Sequence, residues 1–125
     1  RLQAGTPALC DEEDAYTNHI HAADLARAAV AALRFAPSGR AYNAADDSLL
    51  KMGDYFDLVA DRFGLSRPQR ISRAEASRRI APDMLSFMNE SRRLSNRRIK
   101  RELRLKLRYP TVHDGIAAAL PAPRV

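Results

Sequence analysis

The sequence predicts a mixed α/β domain, mostly helical with a few short strands. Three observations carry this. Apolar residues recur at helical spacing in several segments, Gly and Pro punctuate those segments, and one late stretch alternates apolar with basic residues at period two. The chain has 125 residues, 46% of them hydrophobic, which suits one modest core better than disorder.

Residues 1–15, RLQAGTPALCDEEDA, mix Gly, Pro and four consecutive acids and read as surface connection. Tyr16 to His21 fits a short strand. From Asp24 onward Leu25, Ala28, Ala29, Ala32 and Leu33 recur at helical spacing; Asp24 sits in the first turn, where a carboxylate favours the helix dipole, and Pro37 and Gly39 end the helix. Ala41 to Ala44 offers a short buried strand followed by a polar turn. Met52, Phe56, Val59 and Phe63 then mark a helix that Gly64 terminates.

The segment around Pro68 should be extended. Ser72 and Glu75 form a capping box opening a helix that stops near Pro82. Asp83 to about Arg93 is the next helix, burying Met84, Leu85, Phe87 and Met88 as core rather than cofactor pocket. With Ser95 as N-cap, Asn96 to Arg104 is a short helix edged by Ile99 and Leu103. Leu105, Leu107 and Tyr109 alternate with Lys106 and Arg108 as a half-buried strand closed by Pro110. Thr111 and Asp114 cap a last helix through Ile116 and Leu120.

Charge is uneven. Of the net +6, residues 1–62 hold 6 basic and 10 acidic groups, and residues 63–125 hold 15 and 5. The stretch SRRLSNRRIKRELRLKLRYP, residues 91–110, carries nine Lys or Arg against Glu102 alone. Few aromatic residues interleave with these charges and no zinc or glycine-rich nucleic-acid signature accompanies them, so a solvated face is expected and nucleic acid is disfavoured as a partner. Arg97 and Arg98 nevertheless stand in a helix's first turn, where positive charge opposes the dipole. A bound anion would suit that arrangement: free amides near Ser95 and Asn96, with Arg92, Arg93 or Arg97, are expected to hold a substrate carboxylate or phosphate.

Other chemistry is thin. The lone Cys10 excludes an internal disulfide, fits a reducing compartment and has no evident local base. His19, His21 and His113 lack the spacing of a metal site, and no metal is expected. His21 with Asp24 is expected to fix a strand-to-helix corner. Asp11 to Asp14 read as solvated acids. Asn43, Asp46 and Asp47 either orient a substrate hydroxyl or build a turn. No apolar run approaches a membrane span and no signal-peptide pattern is present, so a cytoplasmic location with no membrane partner is expected. The chain opens on Arg rather than Met and is expected to be a portion of a longer protein.

Three segments carry a resemblance. NHIHAADLARAAVAAL is similar to the N-x-I-H-V-x-D-L-A segment of extended short-chain dehydrogenases/reductases, the NAD-dependent epimerase/dehydratase family. AYNAADD resembles the family's following Y-N-V-x-D strand, and LSNRRIKRELRLKLRYPTVHDGI its closing S-N-x-K-L-x-x-E-L segment. The resemblance implies the C-terminal part of an NAD(P)-binding Rossmann-type protein. Residues 1–40 would edge the nucleotide-binding domain with its last strand and helix, His21 and Asp24 would match H-x-x-D at the interface, and residues 41–125 would form the small substrate-binding domain.

The family's glycine-rich turn and Tyr-x-x-x-Lys pair do not occur: the positions four beyond Tyr16, Tyr42, Tyr55 and Tyr109 are Ile20, Asp46, Val59 and His113. NAD or NADP is therefore expected to bind the intact parent and not this chain alone, and no catalytic residue is expected here. The family's sugar-nucleotide arginine, at the position of Thr17, and its R-x-G-D segment are missing as well, which favours a smaller substrate. Asn18, His21, Asn43, Arg92, Arg93 and Arg97 are the candidate substrate-binding residues for a small, anionic molecule. The expected partner is an N-terminal Rossmann domain; without it, exposed strand edges and apolar surface should drive self-association. The alternative is a free-standing basic module that binds nucleic acid or another polyanion.

Overall fold

The computed structural model describes residues 1–119 and shows a mixed α/β chain, mostly helical with short strands. In order these are β1 (Ala8–Leu9), a 3-10 turn (Asp11–Glu13), β2 (Tyr16–Thr17), α1 (Ala22–Phe35), β3 (Leu50–Lys51), α2 (Met52–Phe63), β4 (Arg70–Ile71), α3 (Arg73–Arg79), α4 (Pro82–Met88), α5 (Arg97–Glu102) and α6 (Val112–Ala119). Leu120, expected in the last helix, lies outside the described residues. Compactness divides the chain into two units: Arg1–Thr17 with Leu49–Arg93, and Asn18–Ser48 with the described residues from Leu94 on. The expected boundary at residues 40 and 41 falls within the second unit.

In the first unit, residues 1–15 are surface connection only in part: residues 3–5, 11 and 12 are exposed, while Pro7 to Leu9 and Ala15 are buried. Ala8 and Leu9 are fully enclosed, and β1 pairs in parallel with β4 through Ala8–Arg70 and Leu9–Ile71. The Ala8 amide donates to Gln69 O at 2.9 Å and the Cys10 amide to Ile71 O at 2.8 Å. Two-residue strands are marginal alone, so packing holds them. Leu9 joins Met52, Ile71, Ala76, Ile80 and Met88 in one core, with Phe56 and Leu85 against it; burying a leucine of this kind stabilises by about 1.5–3 kcal/mol.

Gly64 ends α2 in the left-handed conformation at φ 65°, and the Ser72 hydroxyl accepts the Glu75 amide at the start of α3. α4 starts on Pro82 and stops at Met88, well short of Arg93, leaving Met84 at the surface and Phe87 64% exposed. The chain turns out of the helix because the Ser91 hydroxyl accepts the Tyr16 amide and the Arg92 amide donates to Tyr16 O.

The second unit packs Ala28 of α1 with Ile99, Leu103, Leu105 and Leu107, flanked by Ile20, Ala31, Ala32, Ala36 and Tyr42. The buried side of α1 is therefore the side of Ala28 and Asp24, and Leu25 and Leu33, which share the helical spacing read from the sequence, are exposed, Leu33 by 89%. Small side chains let the leucines after α5 approach closely.

Residues 18–21 add no strand pairing to β2, and residues 41–44 form no ladder; isolated bonds from the Asp46 amide to His19 O and from the Asp47 amide to Pro110 O hold the latter region. Leu105 and Leu107 are buried and Lys106 and Arg108 exposed, as the alternation requires, yet among the described residues no strand pairs with them. α5 spans six residues and ends at Glu102, and Arg104, two positions on, adopts φ 52°. Thr111 and Asp114 cap α6 reciprocally, the Thr111 amide and hydroxyl donating to the carboxylate and the Asp114 amide to the hydroxyl.

Candidate functional site

Three polar residues are buried as whole residues among those described: Asp24, Asp46 and Asn96. All lie in the second unit, and each needs hydrogen bonds to offset its desolvation. Asp24 accepts the main-chain amides of Arg108 at 2.9 Å and Tyr109 at 2.8 Å and the Arg27 guanidinium at 2.7 Å. Burial pushes its carboxyl up, and these donors outweigh that and hold it below the ordinary range. Asp46 accepts the Ser48 amide at 2.8 Å, and burial raises its pKa. Asn96 Nδ2 donates to Ala45 O at 2.9 Å and to Asp47 Oδ1 at 2.7 Å.

His21 is the N-cap of α1: its Nδ1 accepts the Ala23 amide at 3.1 Å, and its ring lies over Tyr109 with centroids 3.9 Å apart. His21, Asp24 and Tyr109 thus build the corner at which the chain enters the helix. Asn18 also has a main-chain role, its Oδ1 accepting the Leu94 amide at 2.8 Å.

Beside α5 opens a polar cleft of about 610 Å³ lined by Arg40, Asn43, Ser95, Arg97, Arg98, Arg101 and Glu102. Glu102 organises it. Its carboxylate binds Arg40 Nε at 2.9 Å and Nη2, and accepts the Tyr42 hydroxyl at 3.0 Å. The bonds from Arg40 lead in lowering the Glu102 pKa to about 2. Arg98 spends Nη1 on Ala41 O at 2.8 Å. Asn43 Nδ2 makes a long 3.4 Å bond to Ser95 O. Among the described residues, the side chains of Arg97 and Arg101 have no hydrogen-bond or ion-pair partner.

Of the sequence-predicted binding residues, the cleft therefore gathers Asn43 and Arg97. Arg92 and Arg93 fall in the first unit, Arg92 paired with Glu90 at 2.8 Å and Arg93 lying over the Tyr16 ring at 5.1 Å. Near Ser95, where free amides are expected, the Arg97 amide donates to Ser95 Oγ at 3.4 Å, and α5 spans only six residues. Sequence reasoning missed Arg40 and Arg101. The four-residue spacing of Arg97 and Arg101 was a usable signal; nothing local marks Arg40.

One expectation about the first unit changes. Asp14 is not solvated: its side chain is 2% exposed, its Oδ2 accepts the Gly53 amide at 2.7 Å, and it faces Arg70. Cys10 is held away from nucleophilic use, because its thiol donates to Glu13 Oε2 at 3.2 Å and that bond pushes its pKa up. Among the described residues no group of three or more His, Cys, Asp or Glu could hold a metal ion, and no helix is long and apolar enough to cross a membrane.

No family model and no curated protein matches the chain. Among solved structures it is similar to a functionally unknown conserved protein from Silicibacter pomeroyi DSS, with 28% identity and a TM-score of 0.78 over 90% of this chain. The match spans 38% of the length of that protein's chain.

Proposed function

We propose that this chain is the substrate-binding C-terminal portion of an NAD(P)-dependent epimerase/dehydratase or oxidoreductase of the extended short-chain dehydrogenase/reductase type, without turnover of its own. One observation carries the reading. The three polar residues that are buried as whole residues among those described, Asp24, Asp46 and Asn96, fall one in each of the three segments that resemble the family. The segments are bonded to one another as well: His19 O to the Asp46 amide, Asn96 to Ala45 and Asp47, and Glu102 to Tyr42.

Two further features fit. The outer side of α1 exposes Leu25, Val30, Leu33 and Phe35, and an apolar groove of about 410 Å³ runs between α1 and Leu103–Leu105, as expected of a surface that a Rossmann domain would cover. The polar cleft offers cations to a small anionic substrate. In the intact parent, NAD or NADP would supply hydride chemistry; the residues here would hold and orient the substrate.

The test is the natural polypeptide that contains this chain. Its sequence, confirmed by intact mass, should hold a glycine-rich turn and a Tyr-x-x-x-Lys pair ahead of Arg1; a natural product lacking both overturns the reading. The cleft's arginines favour one rival, a free-standing module for nucleic acid or another polyanion. Retention on DNA that falls steeply with salt would support it.

A further inference from the structure

We propose that the cleft beside α5 is a phosphate-monoester site, which deepens the substrate reading above and rests on it. Four arginines and one carboxylate line the cleft. Glu102 neutralises Arg40 and lies 4.0 Å from Arg98, whose Nη1 is already given to Ala41 O. Arg97 and Arg101 remain, one turn apart on the same side of α5, with no protein partner among the described residues.

Two guanidiniums in that relation repel each other and present several N–H donors to the same space. A dianion relieves the repulsion. A phosphate group, with three terminal oxygens, accepts from both forks at once, whereas a carboxylate offers only two oxygens. Asn43 Nδ2, whose bond to Ser95 O is long, and the Ser95 hydroxyl add neutral donors at the rim.

The cleft, at about 610 Å³, exceeds what a bare phosphate fills and falls in the range of small-molecule sites, so an organic group is expected on the ester oxygen. No aromatic side chain lines it to stack a base, which favours a small phosphorylated molecule over nucleic acid.

The test is a titration of the ¹⁵N-labelled 125-residue chain with sodium phosphate and phenyl phosphate, against sodium chloride at matched ionic strength. Saturable shifts are expected for Asn43, Ser95, Arg97 and Arg101, with acetate much weaker. R97Q and R101Q should each weaken the phosphate response about tenfold or more, with the thermal midpoint unchanged. Shifts no different from chloride, acetate equal to phosphate, or an undiminished response in both variants would overturn the proposal. So would binding seen only with a single-stranded oligonucleotide. The outcome is independent of cofactor binding by the natural protein, so loss of this site and loss of the family reading are separable.

Discussion

Asp24 and Tyr109 are joined across 85 positions by a 2.8 Å bond from the Tyr109 amide to the buried carboxylate. With the neighbouring bond from Arg108, one side chain accepts two successive amides that no strand pairs among the described residues. Asp24→Ala would leave both amides without an acceptor and should cost about 2–4 kcal/mol, read as a lower urea midpoint. Asp24→Asn, which turns an N–H toward a donor, should recover little. Because the Asp24 pKa is depressed, this stabilisation is present above the ordinary aspartate value and is lost as pH falls below it. An unchanged midpoint in Asp24→Ala would contradict the assignment.

Gly53 and Arg70 are a second such pair. A Cβ on Gly53 would stand 1.7 Å from Arg70 Nη1, within a guanidinium that serves Leu9 O, Asp14, Asp54 and Asp57. Gly53→Ala should therefore destabilise by about 1–3 kcal/mol, since displacing Arg70 strands the buried Asp14. In an Arg70→Met background the same change should be neutral or stabilise by up to about 1 kcal/mol through helix propensity. Equal costs in both backgrounds, in a double-mutant cycle by chemical denaturation, would show that the close approach does not matter.

These relationships show what the sequence could and could not disclose. Local signals were legible: the apolar spacing of α2 with Gly64, the Ser72 cap, the Thr111–Asp114 pair and the alternation after Leu103 all depend on neighbours within a few positions. β1 was not, because Ala8 and Leu9 become a strand only by meeting Arg70 and Ile71. The helical spacing in α1 does not say which of its apolar residues are buried: alanine allows the closer approach and Asp24 must face the amides it holds, so Leu25 and Leu33 lie outside. The cleft was half legible: Asn43 and Arg97 were named, but Arg40 enters it by pairing with Glu102, 62 positions away.

Glu102 gives an acid signature. Arg40, together with the Tyr42 hydroxyl, holds its pKa at about 2, so its contribution is fully present above the ordinary glutamate value near 4.5 and is lost as pH falls toward 2. The thermal midpoint of Glu102→Gln should fall relative to the parent at neutral pH, and the gap should close between pH 4.5 and 2. A gap that persists to pH 2 would show that the ion pair is not its source.

Cys10 should alkylate slowly at pH 8. Glu13→Gln removes the carboxylate that keeps the thiol protonated while leaving an oxygen for the Arg73 amide, so iodoacetamide should react faster with the variant. Slower or equal reaction would mean that access, not Glu13, sets the rate.

The account rests most heavily on the reading of this chain as one part of a dinucleotide-dependent protein. Fluorescence titration with NADH and NADPH, of the natural polypeptide and of residues 1–125 alone, addresses it most directly. Saturable quenching by at least one cofactor in the natural polypeptide, and none in the isolated chain, is the predicted result. A natural polypeptide that binds neither cofactor would contradict it.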